Sequence, residues 1–182
     1  MRMRLSKMNA LMFLSLFFLI LATSQLSLAE IQQVTVKIDG MAWHLWALET
    51  QDSLSRLEDV ERAEVSLEKE LGFITLKKEK PLRPGILRKA VEDAGFTAKW
   101  IDLKAVGKIT EQNGKWIFQV DGVDQRFVLQ ESKLLEKLKK IEHLAGKTVT
   151  LTGRVQEEKE AVIVLSIKKF AVKWYMKHVA YD

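Results

Sequence analysis

The sequence predicts an α+β protein in which a βαββαβ unit is followed by a small β-barrel with one helix. Three observations lead to this prediction. Apolar residues alternate with polar ones along several short segments, which is typical of half-buried strands. Two stretches between those segments repeat apolar residues at helical spacing. From about residue 104 onward, short strand-like segments alternate with Asn-Gly and Asp-Gly turns.

Residues 1–29 have the three parts of an export signal. The basic residues Arg2, Arg4 and Lys7 precede the apolar run Ala10–Ala22, and Ser27-Leu28-Ala29 forms a small-x-small cleavage site. The apolar run has about 13 residues, whereas a membrane-spanning helix needs roughly 20. We therefore predict a cleaved signal and a periplasmic or secreted protein of the bacterial cell envelope. The alternative is an uncleaved N-terminal segment that anchors the chain.

Loss of this signal would change the charge of the protein. The signal contains three of the 29 Lys and Arg residues and none of the 24 Asp and Glu residues, so the net charge would fall from +5 to +2. A nucleic-acid interface needs a clustered basic stripe, which this mixed-charge sequence lacks, and we expect no nucleic-acid partner. The chain has no cysteine, so disulfides cannot stabilise the exported protein.

The first unit, residues 30–103, reads as strand, helix, strand, strand, helix, strand. Val34, Val36 and Ile38 point one way along the first strand, and Gly95 stands where a glycine ends the second helix. This order is the ferredoxin-like arrangement. The predicted elements are strands at Val34–Ile38, Ala63–Leu67, Gly72–Lys77 and Phe96–Ile101, a helix at Trp46–Glu58, and a second helix from Pro84 with Leu87, Ala90, Val91 and Ala94 on its buried face.

The loop after the first strand reads Gly40-Met41-Ala42-Trp43-His44-Leu45-Trp46. This segment resembles the heavy-metal-associated domain, whose loop reads Gly-Met-x-Cys-x-x-Cys, with tryptophans at both cysteine positions. Asp59-Val60-Glu61 and Ala90–Phe96 also look like that family. The resemblance implies a ferredoxin-like fold and a role in metal handling. Indole rings cannot replace the two thiolates that hold a soft ion such as copper(I) in the family.

The second unit, residues 104–171, reads as three strands, one helix and two strands, which is the order of an OB-fold barrel. Asn113-Gly114 and Asp121-Gly122 are the predicted turns, and Ser132 is the predicted cap of the helix. The tail, residues 172–182, has no clear period. The predicted strands are Val106–Gln112, Trp116–Val120, Arg126–Leu129, Thr148–Val155 and Ala161–Ile167, and the helix carries Leu134, Leu135, Leu138 and Ile141 on one face and ends at Gly146.

Two uses of the loop are open. Trp43 and Trp46, together with Leu45 and Phe96, would form an exposed aromatic patch that binds a protein or small ligand, or the tryptophans would dock inside the molecule. Alternatively, the Met41 thioether and the imidazole of His44, backed by the tryptophans, would bind copper(I) or silver(I).

The competing interpretation of these two residues is that Met41 packs in the core and His44 is solvated. His143 and His178 are isolated in sequence, and we expect both to be solvated.

Catalysis has little support in the sequence. Gly-x-Ser-x-Gly, His-Glu-x-x-His and a phosphate-binding glycine loop do not occur in it. Trp116, Phe118 and Phe127 could stack on single-stranded nucleic acid, but they alternate as core residues do. The sequence therefore predicts an exported, non-enzymatic binding protein, within a metal-handling system, that binds an envelope protein or small ligand through the Trp43/Trp46 loop.

Overall fold

A computed structural model describes residues 31–141, 144, 147–159 and 162–172. The predicted signal, residues 1–29, lies outside these residues, as do the tail beyond residue 172, Gly146, His143 and His178. The described elements are, in order, β1 Ile31–Asp39, α1 His44–Ser55, β2 Val60–Ser66, β3 Leu71–Leu76, α2 Pro84–Asp93, β4 Thr97–Gln112, β5 Lys115–Val120, β6 Arg126–Leu129, α3 Lys133–Lys139, β7 Val149–Lys159 and β8 Val162–Val172. They form a mixed α/β protein that contains a β-barrel.

The first four strands lie in the order β2-β3-β1-β4, and every neighbouring pair is antiparallel. The buried positions of β1 are those that the alternation predicts, since Val34, Val36 and Ile38 are fully buried. Helices α1 and α2 contact each other and pack on this sheet. The buried residues of the two helices are Ala47, Thr50, Leu54, Pro84, Leu87, Ala90 and Val91.

Strand β4 differs from the prediction of two separate strands at Phe96–Ile101 and Val106–Gln112. It runs without interruption from Thr97 to Gln112, so the predicted change of unit at residues 103 and 104 falls inside a strand. Its first part pairs with β1, its second part with β5, and its middle with β7. The sheet and the barrel therefore share this strand.

The barrel closes through the order β4-β5-β6-β8-β7 and back to β4. All of these pairs are antiparallel except β6 with β8, which is parallel. Phe118 and Phe127 are fully buried, with ring centroids 6.5 Å apart, so they belong to the core as their alternation predicts. Leu135 and Leu138 of α3 are also fully buried.

The predicted turns and caps occur where local chemistry favours them. Asn113 and Gly114 both have positive φ, 52° and 72°, as a two-residue hairpin turn of this type requires. Gly95 has φ 89° and ends α2, where its N–H donates to the Glu92 carbonyl at 2.8 Å. The Ser132 hydroxyl accepts from the N–H of Leu135 at 3.2 Å at the start of α3.

A charged cluster spans the strand that the two parts share. Asp102 of β4 is 9% exposed and accepts two hydrogen bonds from Arg154 of β7, at 2.7 and 3.1 Å, and one from Lys168 of β8 at 2.7 Å. The Arg154 guanidinium also lies 4.1 Å from the ring centroid of Trp100. The hydrogen bond to Asp102 raises the pKa of Arg154. These contacts join β4, β7 and β8.

Within the described ranges, no helix is long and apolar enough to cross a membrane.

Candidate functional site

The loop between β1 and α1 begins with a backbone turn that a glycine allows. Gly40 has φ 97°, and a Cβ atom there would lie 3.7 Å from the Phe96 ring. Trp43 then takes an extended conformation as the residue before α1, and its carbonyl accepts from the N–H of Trp46 at 3.1 Å. No side chain caps this helix start. The loop therefore places two tryptophans at the first turn of α1.

Met41 is in the core. It is 6% exposed, and its sulfur lies 4.0 Å from the hydroxyl of Thr50, which is itself fully buried. The same hydroxyl donates to the Trp46 carbonyl at 2.8 Å. The sequence left open whether Met41 packs inward or faces a ligand, and the structure has the inward arrangement. His44, the first residue of α1, is exposed.

Four large apolar side chains are exposed at the start of α1. The exposed fractions are 68% for Trp43, 64% for Leu45, 37% for Trp46 and 44% for Leu48. Leu45 and Leu48 are three residues apart and lie together on α1, but at 3.6 residues per turn they are on a different side of the helix from Trp46. We call these four side chains, which surround the start of α1, the Trp43 surface. Leu48 was missed in the sequence, although its spacing from Leu45 could have identified it.

The Phe96 ring contacts Trp46, one of the four side chains of the Trp43 surface. Its centroid lies 5.9 Å from that of Trp46, with the rings tilted by 49°, and Phe96 is half-buried against the core. This geometry lies in the range that favours aromatic pairs. The structure thus brings Trp46 and Phe96 together as predicted, and fixes Trp46 more firmly than Trp43.

Helix α1 has its apolar residues in an unusual distribution. The positions that it buries are Ala47, Thr50 and Leu54, of which only the last is large and apolar. Its exposed positions include Leu45 and Leu48, and Trp43, directly before it, is exposed as well. A helix that served only its own core would place its largest apolar side chains inward. Leu45, Leu48 and Trp43 therefore contribute less to this fold than Trp46, which contacts Phe96.

The charges around the Trp43 surface are balanced or acidic. Asp39, at the end of β1, pairs with Lys99 at 2.9 Å, and this hydrogen bond lowers the pKa of Asp39. A lowered pKa means that the pair stabilises the fold above the ordinary carboxyl pKa near 4, and that this contribution is lost as the pH falls through the lowered value. Glu49 and Asp52 are exposed on α1, where Asp52 pairs with Arg56 at 4.0 Å.

One of the two side chains predicted to bind a metal ion is not accessible in the structure. No group of three or more His, Asp and Glu side chains that could hold a metal ion occurs in the described part of the chain. Met41 and His44 are the predicted ligands, and Met41 would have to leave the core to expose its sulfur. A thioether and one imidazole form an incomplete site for a soft ion.

Comparison with known proteins finds similar solved structures but no matching protein family and no matching curated protein. A copper binding domain from HMA7, a P-type ATPase, matches with a TM-score of 0.35 and 22% identity over 38% of this chain and 92% of that chain. The CopZ metallochaperone matches with a TM-score of 0.34 and 19% identity over 37% of this chain and 98% of that chain. A structure described as "Crosstalk between Cu(I) and Zn(II) homeostasis" matches with a TM-score of 0.34 and 24% identity over 37% of this chain and 96% of that chain.

Proposed function

We propose that this protein is an exported, non-enzymatic binding protein that holds a protein partner through the Trp43 surface. The observation that carries the proposal is the exposure of Trp43 and Leu45, 68% and 64%, at the start of a helix whose buried residues are Ala47, Thr50 and Leu54. Exposed apolar patches of this kind mark interaction sites, and tryptophans dominate the binding energy of many interfaces.

The proposal also assigns a fold type to each of the two parts of the chain, and an ancestry to the first. The strand order β2-β3-β1-β4 supports a ferredoxin-like unit, here a heavy-metal-associated domain that has lost its thiol ligands. The barrel order, with its parallel pair β6 and β8 and α3 before β7, supports an OB-type barrel. On this view, apolar contact has replaced metal coordination at the loop, within a metal-handling system of the cell envelope.

The surroundings of the Trp43 surface define the chemistry of the partner. Lys99 pairs with Asp39, and on α1 Asp52 pairs with Arg56 at 4.0 Å while Glu49 is exposed. These paired charges and the exposed Glu49 carboxylate do not attract an anionic lipid surface, and they favour a partner with a basic residue. The partner is therefore a protein with an apolar pocket for the tryptophans and a basic rim.

Replacement of both tryptophans, Trp43→Ala with Trp46→Ala, should weaken partner binding at least ~30-fold, because a single buried interface tryptophan often contributes about 2 kcal/mol or more. A photoreactive residue at position 45, 64% exposed, should crosslink one discrete partner in intact cells. The crosslink should disappear in the double variant.

A photoreactive residue at Val162 is the matched control and should give no such crosslink, since Val162 is a 50% exposed apolar residue of β8. Loss of Trp43 should change the free energy of unfolding by less than about 0.5 kcal/mol, whereas loss of Trp46, which is 37% exposed and contacts Phe96, should cost about 2–3 kcal/mol. An undiminished crosslink in the double variant, or a loss of several kcal/mol in stability from Trp43→Ala alone, would refute the proposal.

Titration with silver(I) tests the metal-binding alternative. We expect no saturable change in tryptophan fluorescence, because the Met41 sulfur faces Thr50 inside the core. Met41→Leu with His44→Ala is the matched variant, since leucine keeps the core filled while it removes the thioether. Saturable quenching in the wild type that is absent in this variant would favour a soft-metal carrier instead.

A further inference from the structure

The sheet that the two parts of the chain share has an outer face, on the side away from the core. Strands β1, β4, β7 and β8 lie side by side in this sheet. Leu103 of β4 and Leu151 of β7 are buried in the core, so the residues that alternate with them along these strands point outward. We call the outward surface formed by Lys37, Trp100, Lys104, Arg154, Lys168 and Lys169 the Lys104 face.

Positive charge predominates on the Lys104 face, which has five cations. Lys104 and Lys169 lie on either side of Thr152 in the register, are exposed, and form no ion pair within the described part of the chain. The carboxylates that oppose the five cations are Glu70, which pairs with Lys37 at 2.6 Å, and Asp102, which Arg154 and Lys168 share. Two carboxylates against five cations leave a net charge of +3. The ion pairs at the edges of the face, Lys99 with Asp39 and Arg62 with Glu64, are neutral.

Two of the cations are held in place with donors to spare. Arg154 uses two of its five N–H groups on Asp102, and its guanidinium lies 4.1 Å from the ring centroid of Trp100. The Lys168 ammonium donates to Asp102 at 2.7 Å and lies 5.4 Å from the same ring. Their side chains are 30% and 47% exposed, so the remaining donors are accessible to the anionic oxygens of a ligand. Cations fixed in this way lose little freedom when they bind.

The chain that follows the barrel indicates which anion the face meets. Ile31 begins β1 and Val172 ends β8 at the same end of the sheet. Residues 173–182 continue the chain from there, and this segment includes Lys173, Trp174, Tyr175, Lys177 and Tyr181. Tryptophan and tyrosine are enriched where proteins meet the headgroups of a bilayer, and lysines beside them bind anionic lipids. This composition favours a lipid surface over a nucleic acid or an acidic protein.

We propose that the Lys104 face binds the anionic headgroups of a lipid bilayer, and that Trp174 and Tyr175 enter the interface beside it. The spare donors of Arg154 and Lys168 bind lipid phosphates, while Lys104 and Lys169 add unpaired positive charge. The Trp43 surface follows the opposite end of β1, beyond Asp39. A protein bound in this way therefore leaves the Trp43 surface free for its partner.

Flotation of the protein with lipid vesicles tests this inference. The protein should bind vesicles of equal parts phosphatidylglycerol and phosphatidylcholine, should bind vesicles of phosphatidylcholine alone much more weakly, and should dissociate from the former as salt is raised. Equal binding to the two kinds of vesicle would overturn the proposal. Binding to a single-stranded oligonucleotide without binding to the anionic vesicles would overturn it as well, because the face would then serve a nucleic acid.

Charge variants connect the binding to the Lys104 face. Lys104→Gln with Lys169→Gln should weaken binding to the anionic vesicles roughly 25-fold, because each lysine near such a surface contributes about 1 kcal/mol, a factor of about five. Arg88→Gln with Lys89→Gln is the matched control, since it removes the same charge from α2, which packs on the other side of the sheet, and it should change binding little. An equal loss in the two double variants, or unchanged binding by folded Lys104→Gln with Lys169→Gln, would refute the assignment.

Two aromatic variants separate the surfaces of the protein. Trp174→Ala with Tyr175→Ala should weaken vesicle binding, and unchanged binding would show that this segment does not enter the interface. Trp43→Ala with Trp46→Ala should bind vesicles as the wild type does, so the Lys104 face and the Trp43 surface are tested independently.

Discussion

Gly107→Ala is expected to destabilise the protein by about 3 kcal/mol, because the new methyl group has no room. A Cβ atom at Gly107 would lie 2.1 Å from the carbonyl oxygen of Gln119 and 3.0 Å from the ring of Phe118. The first of these is a backbone atom of β5, the neighbouring strand, so relief requires β4 and β5 to separate. Urea unfolding followed by tryptophan fluorescence would measure the change.

Gly114→Ala is the matched control for this substitution. Gly114 lies at the turn between β4 and β5 and has a positive φ of 72°, but among the described residues, apart from its two chain neighbours, nothing is within 4 Å of a Cβ atom placed there. The expected cost is that of a left-handed conformation alone, about 1 kcal/mol. A loss at Gly107 no greater than the loss at Gly114 would show that β4 can move away from β5 easily.

The elements that the sequence predicts correctly depend on local chemistry. The alternation of Val34, Val36 and Ile38 identifies β1 because the side-chain period of a strand is two residues. Asn113-Gly114 identifies a hairpin because few other residues adopt positive φ at both positions. Each of these signals is contained within a few residues of the chain.

The continuity of β4 could not be predicted, because its cause lies far away in the sequence. Asp102 interrupts the apolar pattern, and a buried carboxylate is unfavourable unless it is paired. Its partners, Arg154 and Lys168, come from β7 and β8. Once β7 pairs with β4, and β8 with β7, the carboxylate is neutralised and position 102 becomes part of the sheet.

The orientation of the candidate-site side chains also depends on contacts between residues that are distant in the sequence. The sequence identified Trp43 and Trp46, but helical spacing allows those side chains to face either the core or the solvent. Burial of Met41 against Thr50 and the support of Trp46 by Phe96 decide the orientation. The Lys104 face was not predicted, since its cations come from four strands that are far apart in the sequence.

Gln125 also resembles surface in the sequence, yet it joins the barrel to the first unit. It is 8% exposed, and its side-chain amide satisfies both the N–H and the carbonyl of Leu82, which is 1% exposed. The two residues are 43 positions apart in the chain. Buried backbone groups that lose their partners cost about 1–3 kcal/mol each.

Gln125→Leu should therefore destabilise the protein by about 2–4 kcal/mol, although leucine has a similar volume, because both Leu82 groups lose their partner inside the protein. Hydrogen exchange at the Leu82 amide should be slow in the wild type and fast in the variant. Gln125→Glu keeps an acceptor for the Leu82 N–H and should lose less stability. Gln112→Leu, at an exposed position of β4, is the surface control. Equal stability of Gln125→Leu and Gln112→Leu would mean that water replaces the amide, and that the barrel does not hold the loop.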